Sequence, residues 1–225
     1  MKRIFLLLFI FLFIGCENSK NTPEFIQAVS GNYLFNASET VGINFVDNNM
    51  NVHWRGKENI EPLKVNDSTF YIQEMNEKFI FKMKPTIHIQ LAEKRDHEGV
   101  KIKFPKMIEG QKTPRDYLNN NQFEKAIEGY LLIQKNNPNS RSINERDLNR
   151  LGYRALTKKE YDKAIKILKL NTILHPKSSN AFDSLGEAYH RNKDSVNAVI
   201  SFKKSLELNP KSTRAKKYIN EQFLD

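Results

Sequence analysis

The sequence predicts an α+β protein with two domains that are segregated along the chain. In the first half apolar and polar residues alternate with a period of two, as they do in half-buried antiparallel strands. In the second half the apolar spacing becomes helical, and several landmarks recur with a period of about 34 residues. We therefore expect an antiparallel β meander or small open barrel over residues 25–108 and an α-helical solenoid over residues 112–224.

The amino terminus has the pattern of a secretory signal. Two of the first three residues are basic, and an unbroken run of 11 apolar residues follows from Ile4 to Ile14. This run is shorter than the roughly 20 apolar residues that a transmembrane helix needs. Residues 1–15 are therefore expected to be a signal peptide. Residues 16–24 are polar and lack periodicity, which is typical of a tether.

The apolar run ends at the single cysteine of the chain. Leu12-Phe13-Ile14-Gly15-Cys16 resembles the bacterial lipobox, in which a small residue precedes a cysteine. The resemblance implies that the Cys16 thiol carries a diacylglyceryl group and that the chain is cut before it. It also implies a location in the cell envelope, lipid-anchored to a membrane and facing the periplasm or the cell surface. The alternatives are a signal that is cut elsewhere and a stub that is not cleaved, with Cys16 incidental in both.

Five alternating runs indicate strands in the first half. Their apolar positions are Val41, Ile43 and Phe45; Val52 and Trp54; Phe79, Phe81 and Met83; Ile87, Ile89 and Leu91; and Val100, Ile102 and Phe104. Residues that form turns, mainly Asn, Asp, Gly and Pro, separate the runs. Strands this short and this close leave no room for crossover helices, so we expect a meander of seven or eight strands.

This half also resembles the small β domain that is appended to many bacterial serine hydrolases of the penicillin-recognising type. The similarity rests on Gly31-x-Tyr33, on Leu63 through Phe70, and on Phe79-x-Phe81. These are mostly core positions. The resemblance therefore implies a fold and brings no catalytic residue with it.

The second half contains an internal repeat. The matching pairs, each one period apart, are Leu151-Gly152 and Leu185-Gly186, Ala164 and Ala198, Leu168 and Phe202, and Pro176 and Pro210. This period and pattern resemble the tetratricopeptide repeat, a pair of antiparallel helices. The glycines would let the paired helices approach closely, and each proline would open the next repeat.

The resemblance divides the second half into repeats and a cap. We expect full repeats at 145–178 and 179–212, and a capping helix at 212–223. A degenerate copy at 112–140 is followed by a four-residue insertion around residues 139–144. The expected core residues are Leu148, Leu151, Ala164, Leu168, Leu185, Tyr189, Ala198 and Phe202.

The chain is basic, with 36 Lys and Arg against 26 Asp and Glu and a formal net charge of +10. Residues 111–225 carry most of it, with 22 basic and 13 acidic side chains. A basic protein suggests nucleic acid, but an exported lipoprotein seldom meets it, so no nucleic-acid partner is expected. The simplest interpretation is a solvated helix face, formed by Lys158, Lys159, Lys163, Lys166 and Lys169.

Proteins with tetratricopeptide repeats bind partners mainly through the first helices of the repeats. The matching residues here are Arg146, Arg150, Tyr153, Asp183, Glu187, His190 and Arg191. Arginine pairs bind carboxylates through their planar fork, and a tyrosine supplies an aromatic anchor. The resemblance thus implies a groove that captures a partly acidic segment of another envelope protein or peptide.

No segment has the pattern of a catalytic, metal or cofactor site. Ser201-x-x-Lys204 fits a hydrolase motif, but it falls inside an amphipathic helix and the chain lacks room for a hydrolase domain. The histidines lack the spacing of metal ligands. We therefore expect a non-enzymatic protein without cofactors. The alternatives are an accessory subunit that positions substrate for a serine hydrolase, and a β barrel that holds a small apolar ligand.

Overall fold

A computed structural model describes residues 20–222, except for the side chain of residue 222. The predicted signal peptide, Cys16 and most of the tether lie outside the described residues. The end of the predicted capping helix, beyond residue 222, also lies outside them.

The first half forms two antiparallel sheets preceded by a short helix. The elements are α1 (Pro23–Val29), then β1 (Gly31–Leu34), β2 (Thr40–Val46), β3 (Asn49–Trp54) and β4 (Lys57–Ile60) in one sheet, and β5 (Leu63–Asn66), β6 (Thr69–Ile72), β7 (Glu77–Lys82), β8 (His88–Leu91) and β9 (Lys103–Pro105) in the other. Within each sheet every strand pairs with its neighbour in sequence, so the predicted meander is confirmed.

The number of strands differs from the prediction. Residues 20–222 contain nine strands rather than seven or eight, because the four-residue strands β4 and β5 are too short and too exposed to show alternation. The predicted run from Val100 to Phe104 is only partly a strand. A 3₁₀ turn at Arg95–His97 and the left-handed backbone of Gly99 (φ 77°) delay β9 until Lys103.

The two sheets meet at one edge and remain separate at the other. Tyr33 of β1 forms a bridge with Lys106, and the Met107 amide donates to the Asn32 carbonyl at 2.8 Å. The outer edges of β4 and β5 have no strand partner within the described part of the chain. The module is therefore an open barrel.

Aromatic side chains fill the inside of this β module. Phe25 of α1 reaches Phe45, Phe70 and Phe81, with ring centroids 6.2, 6.0 and 5.7 Å away. Helix α1 begins where it does because the Thr22 hydroxyl caps it and a proline follows at its first position. This packing occupies the space that a small apolar ligand would need.

The ordered module begins earlier than residue 25. The Asn21 amide donates to the Asn48 side chain at 2.6 Å, the Asn21 side chain donates to the Asn48 carbonyl at 2.8 Å, and Asn48 donates back to the Asn21 carbonyl at 2.7 Å. The predicted tether over residues 16–24 is therefore too long at its carboxyl end. Polar composition alone did not distinguish a solvated linker from a segment that pairs with a turn.

The second half is helical. Its helices are α2 (Pro114–Asn119), α3 (Phe123–Asn136), α4 (Glu145–Thr157), α5 (Tyr161–Leu174), α6 (Ser179–Arg191), α7 (Ser195–Leu208) and α8 (Thr213–Gln222). A 3₁₀ turn at Arg141–Ile143 lies in the segment that was predicted to be an insertion. The predicted class, a β meander followed by a helical solenoid, is the observed one.

Glycine contacts hold the helix pairs together. A Cβ on Gly152 would lie 2.5 Å from Leu168, and a Cβ on Gly186 would lie 2.8 Å from the Phe202 ring. Any other residue at these positions would push α4 from α5 or α6 from α7. Of the predicted core residues, Leu151 and Tyr189 are half-buried rather than buried, and both pack at the margin of the helical core. The other six are buried.

The two halves share a core. Leu34, Ala37 and Met107 of the β module belong to the same buried cluster as Leu118 and Tyr130 of the first helix pair. Backbone groups cross the junction as well. The amide of residue 37 donates to the Ser142 hydroxyl at 3.2 Å, and the amide of residue 115 donates to the carbonyl of residue 37 at 2.8 Å.

Replacing Gly186 by alanine should destabilise the solenoid by about 1–3 kcal/mol, because the added methyl group would overlap the Phe202 ring. Urea unfolding followed by far-ultraviolet circular dichroism measures this loss. Lys169→Ala, at an exposed position of α5, is the control and should change the free energy of unfolding by less than about 0.5 kcal/mol. Equal stability of the two variants would contradict the close contact.

Candidate functional site

The first helices of the repeats lie side by side. Helix α4 contacts α6, and α6 in turn contacts α8. Side-chain caps fix where α4 and α6 begin, since the Asn144 side chain accepts from the Arg146 amide and the Ser178 hydroxyl accepts from the Ala181 amide. The first-helix surface is formed by Arg146, Arg150, Tyr153, Asp183, Glu187, Arg191 and Arg214.

Two arginines lie near the start of this surface. Arg146 is exposed, and no ion pair involves it among residues 20–222. Arg150 is also exposed, but its Nη2 lies 2.7 Å from Asp147 Oδ1, one helical turn away. An exposed pair of this kind is weak, typically below about 1 kcal/mol, so a ligand carboxylate can replace the aspartate.

The centre of the surface is an ion pair that the sequence did not reveal. Arg214 of α8 inserts between α4 and α6, where its Nε lies 2.6 Å from Asp183 Oδ2 and its Nη2 also donates to that carboxylate. Arg214 Nη1 donates to the Tyr153 hydroxyl at 2.8 Å. Ser212 donates to the other carboxylate oxygen at 3.1 Å. Asp183 is buried, and these donors satisfy both of its oxygens.

This environment favours the charged form of Arg214. Burial by itself lowers the pKa of the guanidinium, but the hydrogen bonds and charges of Asp183 and Tyr153 outweigh burial and raise it above its ordinary value. Tyr153 and Asp183, which the sequence assigned to the groove, are thus brought together. The two side chains do not line an open groove. Arg214 of the cap helix α8 lies between them and contacts both.

A sequence signal for Arg214 existed. Arg214 follows Asn180 by one repeat period, and Asn180 follows Arg146 by the same period, so the three occupy the same repeat position. The sequence pattern predicts only a capping helix at residues 212–223. Repeat position alone would have placed Arg214 on the first-helix surface, although its pairing with Asp183 depends on the packing of α8.

The remaining predicted residues lie further along α6. Glu187 Oε1 accepts from Arg191 Nε at 2.6 Å, so these two charges neutralise each other. His190 is exposed and its ring lies 4.9 Å from the Tyr218 ring. It therefore packs on the cap helix and is not joined with Arg146 and Arg150.

The two residues of the hydrolase-like motif are engaged in structural contacts. The Ser201 hydroxyl donates to the Asn197 carbonyl at 2.8 Å, while Lys204 pairs with Glu207, so the hydrolase-like motif is not assembled. Residues 20–222 contain no cluster of three His, Cys, Asp or Glu side chains with metal-site geometry. No helix in the same range has the length and hydropathy needed to cross a bilayer.

Comparison with known proteins identifies the repeat. The family model described as Tetratricopeptide repeat matches residues 179–212. Residues 179–212 form a tetratricopeptide repeat. These residues include α6 and α7, with Gly186 and Phe202 at their contact. Comparison with curated proteins gives no match.

Several solved tetratricopeptide structures are similar to about half of this chain. The first such domain of human RPAP3 is 18% identical, and the match covers 48% of this chain and 82% of that one, with a TM-score of 0.34. The Arabidopsis OM64 domain is 18% identical over 49% and 88%, with a TM-score of 0.35. The Sgt2 domain from Aspergillus fumigatus is 22% identical over 48% and 70%, with a TM-score of 0.34.

Replacing Arg214 by alanine should loosen α8 by about 1–3 kcal/mol, because the buried carboxylate of Asp183 would lose its cationic partner. Hydrogen–deuterium exchange of peptides from α8 measures the effect. Lys216→Ala removes an exposed charge from the same helix and should leave exchange unchanged. If both variants protect α8 equally, the ion pair does not hold the cap in place.

Proposed function

We propose that this chain is a lipid-anchored protein of the bacterial envelope that binds a partly acidic segment of another protein on its first-helix surface. The observation that carries the proposal is the row of contacting helices α4, α6 and α8 with a free guanidinium, Arg146, at one end. The role is one of binding and not of catalysis. The partner is a protein or peptide, and no cofactor is required.

The charges of the surface favour an acidic ligand. Asp183 is neutralised by Arg214 and Glu187 by Arg191, so both carboxylates among the residues that define this surface are compensated. Arg146 is unpaired within residues 20–222, and Arg150 can exchange its exposed partner for a ligand carboxylate. Because an arginine fork binds a carboxylate through two hydrogen bonds, these two residues form the charged part of the proposed contact.

Lipid anchoring is supported by the residues that precede the folded part. The sole cysteine follows a small residue at the end of an 11-residue apolar run. Each buried methylene of an acyl chain contributes about 0.8 kcal/mol, so two or three chains would hold the protein on a membrane without a spanning helix. The segment after Cys16 leads within a few residues to Asn21, where the β module begins.

Cys16→Ala should abolish incorporation of radioactive palmitate, because the variant lacks the thiol that the acyl-glyceryl group modifies. Labelling of growing cells, followed by gel electrophoresis of the purified chain, measures it. Ser19→Ala, three residues away, is the matched control and should label like the wild type. Unchanged labelling of the Cys16 variant would refute lipid anchoring.

Arg146→Ala combined with Arg150→Ala should reduce recovery of the partner about tenfold, since each lost charge-assisted hydrogen bond contributes about 1 kcal/mol or more. In-cell crosslinking followed by mass spectrometry identifies and quantifies the attached protein. Lys166→Ala with Lys169→Ala removes the same charge from α5, outside the first-helix surface, and should leave recovery unchanged. Equal recovery from both double variants would exclude this surface as the binding site.

A further inference from the structure

The chain enters its folded part at a fixed point. The three hydrogen bonds between Asn21 and Asn48 hold residue 21 against the turn that joins β2 to β3. Asn21 is nine-tenths buried, and Lys20 beside it is exposed. Whatever precedes residue 20 must therefore leave the β module from this turn.

The same place carries exposed aliphatic side chains. A cleft of about 400 Å³ is lined by Lys20, Asn21, Asp47, Asn48, Asn49, Met50, Glu61, Pro62, Leu63, Lys64 and Phe70. Leu63 on its rim is 63% exposed, and Val46 and Val65, adjacent in sequence to other lining residues, are 54% and 51% exposed. Leu63 and Val65 lie two residues apart on one strand, so their side chains share a face, and large aliphatic side chains this exposed mark an interaction surface when they lie together.

Strand β5 adds a second reason for this surface to be covered. Leu63 and Val65 lie on β5, whose outer edge has no strand partner within residues 20–222. An exposed apolar edge strand pairs readily with other chains, and natural proteins shield such edges.

The distance to the proposed lipid is short. Lys20 is only four positions after Cys16. A fully extended chain spans at most about 3.6 Å per residue, which gives about 14 Å between the acylated cysteine and the module. This distance rests on the proposed lipid anchor. It leaves the face around Asn21 within reach of the lipid headgroups and leaves little room for a protein in between.

We infer that the face formed by Val46, Leu63 and Val65 rests on the bilayer surface, with these side chains among the lipid headgroups. Charge does not drive the contact, because two nearby lysines, Lys20 and Lys64, stand against three carboxylates, those of Asp47, Glu61 and Asp67. Lys64 pairs with Asp67 at 3.4 Å, and Asp47 and Glu61 lie on the same cleft as Lys20. The contact is therefore apolar, and the anchor fixes which face of the β module turns to the membrane.

Cysteine accessibility tests this orientation. The full chain is expressed with Leu63→Cys or Val65→Cys, and opened membranes are treated with a polar maleimide before and after detergent is added. Both sites should react about fivefold more slowly in membranes than in detergent, because headgroups exclude the reagent. Val196→Cys and Ile200→Cys, on α7 and 72% and 59% exposed, are matched controls that should react at the same rate in both conditions.

Equal rates in membranes and detergent at residues 63 and 65 would overturn the inference. So would slow reaction that persists in detergent, which would assign the face to a second copy paired along β5. Palmitate incorporation at Cys16, measured in the same preparation, separates this result from the anchor. If palmitate is incorporated and the maleimide rates in membranes and detergent are equal, only the orientation of the face toward the membrane is refuted. If no palmitate is incorporated, the lipid anchor on which the inference rests is refuted.

Discussion

The solenoid depends on the contact between a glycine in one helix and a large side chain in the next. Gly152 against Leu168 and Gly186 against Phe202 set how close each helix comes to its partner. With that separation fixed, α4, α6 and α8 align and their polar faces become continuous. Arg214 of α8 can then reach Asp183 of α6 and Tyr153 of α4. The charge pairing on this surface therefore depends on glycine, which has no β-carbon, at residues 152 and 186.

The sequence predicted the architecture where a single side-chain pattern determines it. The alternation of apolar and polar residues predicted the β meander, and the constant repeat period predicted the helix pairs. Both patterns arise because one face of each strand or helix is buried. Prediction failed where partners are distant in sequence. Asn21 pairs with a turn 27 residues away and Arg214 pairs with Asp183 of another helix, and neither pairing leaves a periodic trace. Short edge strands such as β5 were missed because they are only four residues long and mostly exposed, so they show no alternation of apolar and polar residues.

Net charge proved a poor guide to the character of the surface. The helical half has a large excess of basic side chains, yet most charged groups on the first-helix surface are matched within one helix or between neighbours. The excess is spread over other helix faces, such as the lysines of α5. The proposed recognition of a carboxylate would therefore depend on the few guanidiniums that remain available, and counting charges along the chain does not identify them.

The shared core at the junction has a consequence for how the repeat array ends. A helical array needs a polar lid at each terminus, since its last apolar face has no neighbour to bury it. Helix α8 closes one terminus through Ala215 and Tyr218, and the β module closes the other through Leu34, Ala37 and Met107. The β module and the helical module therefore do not fold as independent domains joined by a linker. The helical half expressed without the β module would expose to solvent the apolar surface of its first helix pair.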